Sequence, residues 1–229
     1  MRALDVGCGT GAVTRTMAKI AAPGRVVGVD ISASRLAQAR ELAAADGVEA
    51  EFIEGDACHL PLPSASFDYA WSRFLFEYLP EPVRALAELS RVTRPGGTVV
   101  VADLDGQLEQ FYPLEAFVRS GLLEGLRLLG EAGFDPWVGR KLYHWFCRAG
   151  LSDIGVGVVP YQAYAGGLSE RDFINWREKL GTGKDYLIQH TGDRELWERL
   201  YEELLTQIRR PDVFYYCSLI TVRGTVPTT

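Results

Sequence analysis

Residues 4–11 read LDVGCGTG and place a short apolar strand directly before a glycine-rich turn. Residues 12–20, which follow, are predicted to form a helix. Glycines at alternate positions let the chain turn sharply and leave no side chains where a ligand would approach the backbone. The turn opens a helix N-terminus, where free N–H groups and the helix dipole favour an anionic group. This segment therefore predicts a ligand site after the first strand of an α/β sheet.

Two classes of ligand are compatible with the glycine spacing. With Ala12 as its last position, the turn fits G-x-G-x-x-A, which is typical of dinucleotide-binding folds. Asp5 argues against a dinucleotide, because a carboxylate two residues before Gly7 would repel a pyrophosphate by about 1–4 kcal/mol at contact range. The same carboxylate would attract an ammonium group. The site is therefore better suited to a ligand that carries both charges, as an amino acid does.

Four segments carry a resemblance to one known family, in its order and spacing. They are LDVGCGTG at 4–11, VVGVDIS at 26–32, EGDACHLPLP at 54–63, and FDYAWSRFLFEYLPEP running to RVTRPGGTVVVAD at 67–103. Over nearly half its length the chain resembles the class I S-adenosylmethionine-dependent methyltransferases, in particular the branch that includes the ubiquinone and menaquinone C-methyltransferases. The resemblance implies S-adenosylmethionine as the cofactor and a small, apolar or aromatic organic molecule as the methyl acceptor. No motif this specific occurs after about residue 104.

The resemblance also implies which residues bind the cofactor. Asp30 would accept hydrogen bonds from the ribose hydroxyls, a role that acids at the end of the second strand also have in dinucleotide-binding folds. Asp56 would bind the adenine amino group, and Ser72 and Arg73 lie where the family's chain passes under the methionine moiety. The complete predicted set is Asp5, Gly7, Cys8, Gly9, Thr10, Gly11, Asp30, Ile31, Arg35, Asp56, Ala57, Ser72 and Arg73.

Several of these residues also have a structural interpretation. Asp30 could begin the next helix, although Ser32 is better placed as its N-cap. Asp56 could stabilise a turn, and Arg73 could pair with Glu77 one turn further on.

The candidate catalytic residues are His144 and Tyr143. A hydroxyl acceptor needs one general base, whereas an amine or a stabilised carbanion can react through positioning and desolvation. His144 also has a structural interpretation, because no orienting carboxylate is evident near it in the sequence. Methyl transfer needs no metal, since the sulfonium of the cofactor already activates the methyl group.

Net charge, hydropathy and cysteine spacing restrict the partners and the cellular location that we expect for this chain. A net charge of −6 and a pI near 5.2 argue against a nucleic-acid-binding surface. No apolar run reaches the length of a membrane span. The four cysteines lie far apart without a C-x-x-C pair, which indicates thiols in a reducing, cytoplasmic compartment and argues against a zinc site. A small-molecule acceptor and a homodimer are the partners we expect.

The alternation of strands and helices up to residue 103 predicts a doubly wound, mostly parallel, seven-stranded Rossmann-like sheet with an antiparallel C-terminal strand. We expect a single methyltransferase domain over residues 1–229, with helical insertions at 106–132 and 168–210 that cap the strand ends. Within the second half, helices are predicted at 109–129, 137–149, 169–180 and 194–209, with a glycine-rich loop at 181–184, and strands at 154–164 and 213–222. Because the first strand starts at about Ala3, we expect the native sequence to begin further upstream; the alternative is that the helices at 106–132 and 168–210 alone cover the cofactor.

Two other functions stay open at this level. A nicotinamide-dependent oxidoreductase is compatible with the glycine spacing and Asp30. A protein that keeps the S-adenosylmethionine fold but only binds the cofactor, or acts as a cyclase, is also compatible, because a fold and a cofactor site do not determine the chemistry.

Overall fold

The computed structural model describes residues 1–21 and 24–228. Strands and helices alternate along the chain, and two short 3₁₀ helices occupy Phe76–Tyr78 and Gly139–Lys141. The elements are β1 (Arg2–Val6), α1 (Ala12–Ala21), β2 (Arg25–Asp30), α2 (Ala33–Ala45), β3 (Glu51–Glu54), β4 (Phe67–Arg73), α3 (Pro82–Val92), β5 (Thr93–Asp105), α4 (Ala116–Glu131), α5 (Leu142–Arg148), β6 (Ser152–Ala165), α6 (Glu170–Thr191), α7 (Arg194–Ile208) and β7 (Phe214–Thr225).

The strands form one seven-stranded sheet in the order β3-β2-β1-β4-β5-β7-β6. Strands β1 to β5 pair in parallel, and the C-terminal strands introduce antiparallel pairing. The predicted doubly wound, mostly parallel sheet is therefore confirmed. The register places Val6 opposite both Val29 and Ser72, so the carboxyl ends of β1, β2 and β4 lie side by side. Ligands of doubly wound sheets bind beyond these ends.

The chain divides into two compact units. The first comprises Met1–Asp103, Val138–Val158 and Ile220–Thr229. Its main core packs alternate residues of the sheet, such as Leu4 and Val99, against Leu86 of α3 and Phe146 of α5. Each such fully buried side chain contributes about 1.5–3 kcal/mol to folding.

The second unit comprises Leu104–Trp137 and Val159–Leu219, and it contains α4, α6 and α7. Two glycines of α4 allow these helices to approach closely. A Cβ atom at Gly121 would lie 2.6 Å from Leu200 of α7, and one at Gly125 would lie 3.3 Å from Trp197. Both predicted insertions fall within this unit, and their role as a cap stays a prediction.

Three predicted boundaries are wrong. The helix predicted at 137–149 begins as an α-helix only at Leu142, after the 3₁₀ turn at Gly139–Lys141. The helix predicted at 109–129 begins only at Ala116, because Tyr112 is hydrogen-bonded to Phe214 as an isolated antiparallel bridge. The glycine-rich loop predicted after Leu180 is helical, since α6 continues to Thr191 and ends at Gly192 with φ +76°. Glycine inside a helix costs only about 1 kcal/mol, and packing of α6 against α4 and α7 outweighs that cost.

None of the helices in the described ranges is long and apolar enough to cross a membrane.

Candidate functional site

The three glycines of the turn between β1 and α1 have two different roles. Gly7, Gly9 and Gly11 have φ of +75°, +53° and +74°, which other residues adopt only under strain. A Cβ atom at Gly7 would lie 2.9 Å from Leu75, and one at Gly11 would lie 2.8 Å from the ring of Phe52. A Cβ atom at Gly9 would meet nothing within 4 Å. Gly7 and Gly11 are thus required by packing, whereas Gly9 faces open space.

Asp30 ties the end of β2 to this turn. Its Oδ2 accepts a hydrogen bond from the N–H of Gly9 at 2.8 Å, and its Oδ1 accepts one from the N–H of Ser32 at 3.0 Å. The N–H of Gly55, after β3, donates to the carbonyl of Asp30 at 3.1 Å. Each carboxylate oxygen keeps a further lone pair, because a carboxylate accepts about four hydrogen bonds.

The next helix begins as predicted. The hydroxyl of Ser32 accepts a hydrogen bond from the N–H of Arg35 at 3.4 Å, so Ser32 is the N-cap of α2. Asp30 therefore does not fill that role. Ile31, between them, exposes 73% of its side chain beside the acid, and Arg35 is exposed in the first turn of α2.

Asp5 lies inside the fold. Its Oδ2 accepts a hydrogen bond from the Thr14 hydroxyl at 2.6 Å, which links the carboxylate to the first turn of α1. Burial raises the pKa of Asp5 to about 6, although the hydrogen bonds from Thr14 and the charge of Arg73 oppose the rise. The predicted attraction to an ammonium group would therefore act from beneath the turn, and it stays a prediction.

Cys8 is also buried in this turn, where its thiol lies 3.8 Å from the carbonyl of Gly9. Burial, together with the nearby Asp5 and Asp30, raises the pKa of the Cys8 thiol to about 12. The Cys8 thiol is consequently protonated and has a packing role, and it is not a thiolate nucleophile. Thr10 is half-buried in the turn, and its carbonyl accepts a hydrogen bond from Arg15 at 2.8 Å.

Asp56 follows the end of β3. Its Oδ1 accepts a hydrogen bond from the N–H of Cys58 at 2.8 Å, so the turn-forming interpretation of this residue is present in the structure. The carboxylate remains half exposed, and its Oδ2 lies 3.6 Å from Nδ1 of His59. Ala57 beside it is buried. Asp56 therefore stabilises its own turn, and its predicted role toward a ligand stays a prediction.

The end of β4 holds Ser72 and Arg73. Ser72 is fully buried, and its hydroxyl has no hydrogen-bond partner in the described part of the chain. The guanidinium of Arg73 lies over the ring of Phe74, 4.6 Å from its centroid. Phe74 has φ +57°, a strained conformation for a bulky residue. Backbone strain of this kind is concentrated at functional sites.

Sequence reasoning missed Phe74 and Asp103, and it considered Glu77 only as a possible partner of Arg73. Glu77 and Asp103 are both buried, and the N–H of Glu77 donates to Oδ2 of Asp103 at 3.2 Å. Burial raises the pKa of the neighbouring Tyr78 well above its usual range, and Glu77 adds to the rise. Acids inside the apolar stretches at 74–79 and 99–104 were the available signal, because a carboxyl group is rarely buried without a specific role.

The predicted catalytic residues lie on α5. This helix packs its Leu142 and Phe146 into the core of the first unit and leaves His144 and Tyr143 exposed. A hydrogen bond with Cys147 raises the pKa of Tyr143. Within residues 1–21 and 24–228, no hydrogen bond or ion pair joins these two side chains to the glycine turn. Their catalytic role stays a prediction.

The strand ends fit the predicted cofactor. Hydrogen bonds join the turn at Gly9, the acid at Asp30 and the loop at Gly55 into one edge. This edge combines an open backbone position, a carboxylate with unused lone pairs, an exposed apolar side chain and a helix N-terminus. The carboxylate would contact ribose hydroxyls, the apolar side chain would contact an adenine ring, and the open backbone with the helix N-terminus would receive a carboxylate.

Comparisons with known proteins agree with this geometry. The sequence model of a family described as "Methyltransferase domain" matches residues 4–101. The demethylmenaquinone methyltransferase of Shouchella clausii is 32% identical over 180 residues, which cover 72% of this chain and 74% of that protein. The chain spans about half the length of several other curated relatives that it matches.

Solved structures share the fold. A Bacillus halodurans protein described as a candidate methyltransferase superposes with a TM-score of 0.64 at 19% identity, covering 99% of this chain and 93% of that one. The phosphoethanolamine N-methyltransferase 2 of Haemonchus contortus, solved with S-adenosyl-L-methionine, gives a TM-score of 0.60 at 18% identity, covering 100% of this chain and 49% of that one. The two ligand classes that the glycine spacing left open are thereby distinguished: the chain belongs to the class I S-adenosylmethionine-dependent methyltransferases, whose cofactor is S-adenosylmethionine.

Proposed function

We propose that this chain transfers a methyl group from S-adenosylmethionine to a small organic acceptor. The observation that carries the proposal is the hydrogen-bonded edge formed by Gly9, Asp30 and Gly55 in a chain of this family. When bound, the cofactor supplies a methyl group that its sulfonium activates for in-line displacement. The chain then has to bind, orient and desolvate the two reactants.

Each side chain at the edge has a proposed part in binding. The unused lone pairs of Asp30 accept the ribose hydroxyls, and the half-exposed oxygen of Asp56 accepts the adenine amino group. The exposed side chain of Ile31 covers one side of the adenine ring. The N-terminus of α1 and the open backbone at Gly9 receive the carboxylate of the methionine moiety. Asp5, beneath the turn, favours the ammonium group electrostatically.

The other predicted members of the set have less direct parts. Thr10 and Ala57 would offer backbone groups, and Arg35 and Arg73 would border the site. The hydroxyl of Ser72, buried without a partner in the described residues, would need a local rearrangement to reach a ligand.

The nature of the acceptor is a separate proposal. The likeness to a demethylmenaquinone methyltransferase supports a flat, apolar acceptor such as a quinol.

The net charge of −6 supports the absence of nucleic acid among the partners. None of the four cysteines, all within the described ranges, forms a disulfide, which supports a reducing, cytoplasmic location. A homodimer is also proposed.

Cofactor binding is tested by titration calorimetry with S-adenosylmethionine, S-adenosylhomocysteine and NAD. We expect the first two to bind and NAD to give no heat of binding. Asp30→Ala should weaken S-adenosylmethionine binding by about 1–3 kcal/mol, because it removes charge-assisted hydrogen bonds. Asp185→Ala, at an exposed acid of α6, is the matched control and should leave the affinity unchanged. Binding of NAD alone would refute the proposal.

Methyl transfer is tested with methyl-labelled S-adenosylmethionine and a 1,4-naphthoquinol as acceptor. Labelled product together with S-adenosylhomocysteine is the expected result. Cofactor binding without turnover of the quinol, a catechol or a primary amine would favour the alternative of a binding protein or cyclase. For a hydroxyl acceptor, His144→Ala or Tyr143→Phe should lower kcat, whereas Arg148→Ala on the same helix should not.

A further inference from the structure

The two edge strands of the sheet differ in how they are protected. Strand β3 has four residues, and both of its ends are glutamates, Glu51 and Glu54. Strand β6, at the opposite edge, has 14 residues with Asp153 as its one charged side chain. Short length and charge keep an edge strand from pairing with another chain, and a long apolar edge lacks that protection. Of the two edges of the described sheet, the β6 edge is therefore the one open to a further strand.

The open part of β6 is a short, regular stretch. Asp153, with φ +49°, precedes it, and Pro160, which has no N–H to donate, follows it. Between them, Val156 and Val158 are 51% and 60% exposed on the face where Ile154 packs against the core. This exposed stretch lies within the first compact unit.

The sequence of this stretch is self-complementary. Residues 154–158 read Ile-Gly-Val-Gly-Val and have the same pattern in both directions. In an antiparallel pair centred on Val156, each Val156 faces its own copy, Gly155 faces Gly157, and Ile154 faces Val158. Branched aliphatic side chains then pair on one face, and glycines pair on the other. Cross-strand pairs of β-branched residues stabilise a sheet, and such a pairing has the two-fold symmetry of a homodimer.

We propose that residues 154–158 pair antiparallel with the same residues of a second copy of this chain, so that β6 joins the two sheets. The charged side chain of β6 itself does not oppose this arrangement. The two Asp153 residues would lie six positions apart along the ladder, about 20 Å at the rise of a strand, which exceeds the screening length at physiological salt. The proposal specifies the surface of the homodimer and does not depend on the cofactor or on methyl transfer.

Sedimentation equilibrium over a range of protein concentrations tests the dimer. We expect the wild-type chain to dimerise reversibly. Val156→Lys should raise the dissociation constant at least about tenfold, because it places two like charges opposite each other, and added salt should partly restore dimerisation. Ile20→Lys, the same change at an exposed position of α1, should leave the dissociation constant unchanged. Circular dichroism establishes that both variants are folded.

Crosslinking tests the register, in a Cys147→Ser background because Cys147 is the exposed cysteine. Val156→Cys should form a disulfide-linked dimer under mild oxidation, since facing Cα atoms lie about 4.5–5.5 Å apart. Val158→Cys alone should not, because its two copies would be about 13 Å apart. Mixing Ile154→Cys with Val158→Cys should restore crosslinking. A monomer at all concentrations, a dimer insensitive to Val156→Lys, or crosslinking at 158 but not at 156 would overturn the proposal.

Discussion

The two compact units keep their shape by different means. In the first, the strand ends are organised by residues close to one another in sequence, such as Gly7, Gly9 and Gly11, and by the acid Asp30. In the second, aromatic side chains from distant parts of the chain form the centre. Phe111 stacks on Tyr215 with ring centroids 4.1 Å apart, and Trp176 meets the same tyrosine edge-on at 5.2 Å.

This difference explains why specific motifs end near residue 104. A positive φ or a charged hydrogen bond can be satisfied by few residue types, so it leaves a recognisable pattern. An aromatic cluster only requires large apolar side chains of matching shape, and many sequences provide these. The backbone turns of the first unit can thus be recognised from sequence motifs. The sequence of the second unit predicts only a hydrophobic core.

The largest effect is expected at the aromatic cluster. Tyr215→Ala should lower the free energy of unfolding by about 3–5 kcal/mol, because it removes a fully buried ring. Tyr215→Phe should cost far less than Tyr215→Ala, since the ring stays buried and only a hydroxyl that interacts with Cys217 and the backbone of Leu108 is lost. Urea denaturation measures both changes. If cofactor binding depends on the first unit alone, S-adenosylmethionine affinity should be unchanged in Tyr215→Phe. A loss of affinity in this variant would contradict the distinction between the two units.

A somewhat smaller effect is expected at Asp5, and it should depend on pH. Because burial raises the pKa of Asp5 from 3.8 to about 6, the folded state binds the proton more tightly than the unfolded state. The contribution to stability is fully present below pH 3.8 and is lost as pH rises to about 6, by about 3 kcal/mol in total. Asp5→Asn should remove this loss.

Urea denaturation between about pH 3 and pH 8 measures the Asp5 effect as the difference between wild type and variant. Asp68→Asn is the control with the opposite sign. Its hydrogen bond with Arg94 lowers the pKa of Asp68, so that group stabilises above its unfolded pKa and loses the effect as pH falls. Equal pH profiles for wild type and Asp5→Asn would contradict the burial of a titrating carboxylate at the first strand.

The smallest expected effect is a difference in stability between substitutions at two glycines of the same turn. Gly9→Ala and Gly11→Ala share the strain of a positive φ, but only the Cβ at position 11 would collide with Phe52. Gly11→Ala should therefore be less stable than Gly9→Ala by about 1–3 kcal/mol. Gly9→Ala should lose more S-adenosylmethionine affinity than stability, because its Cβ would enter open space at the ligand edge. Thermal unfolding measures the stabilities, and calorimetry measures the affinities. A less stable Gly9→Ala together with a weaker-binding Gly11→Ala would contradict the roles assigned to the two glycines.

The sequence by itself determined the parallel half of the sheet and the candidate cofactor edge. The signals there are local: the glycine turn, an acid at the end of a strand, and Ser32 three residues before the N–H that it caps. Each interaction links positions whose geometry follows from a strand, a turn or the first turn of a helix. The alternation of strands and helices along the chain then predicted a doubly wound, mostly parallel sheet.

Only the tertiary structure decided the remainder. The helix of α6 continues through Gly181 and Gly183, because packing against α4 and α7 outweighs their low helix propensity. Glu77 meets Asp103 only because β4 and β5 are neighbours in the sheet. The exposure of Val156 and Val158 depends on β6 lying at the edge, which no local pattern encodes. These features rest on contacts between residues far apart in the chain, and the residue types alone do not specify such contacts.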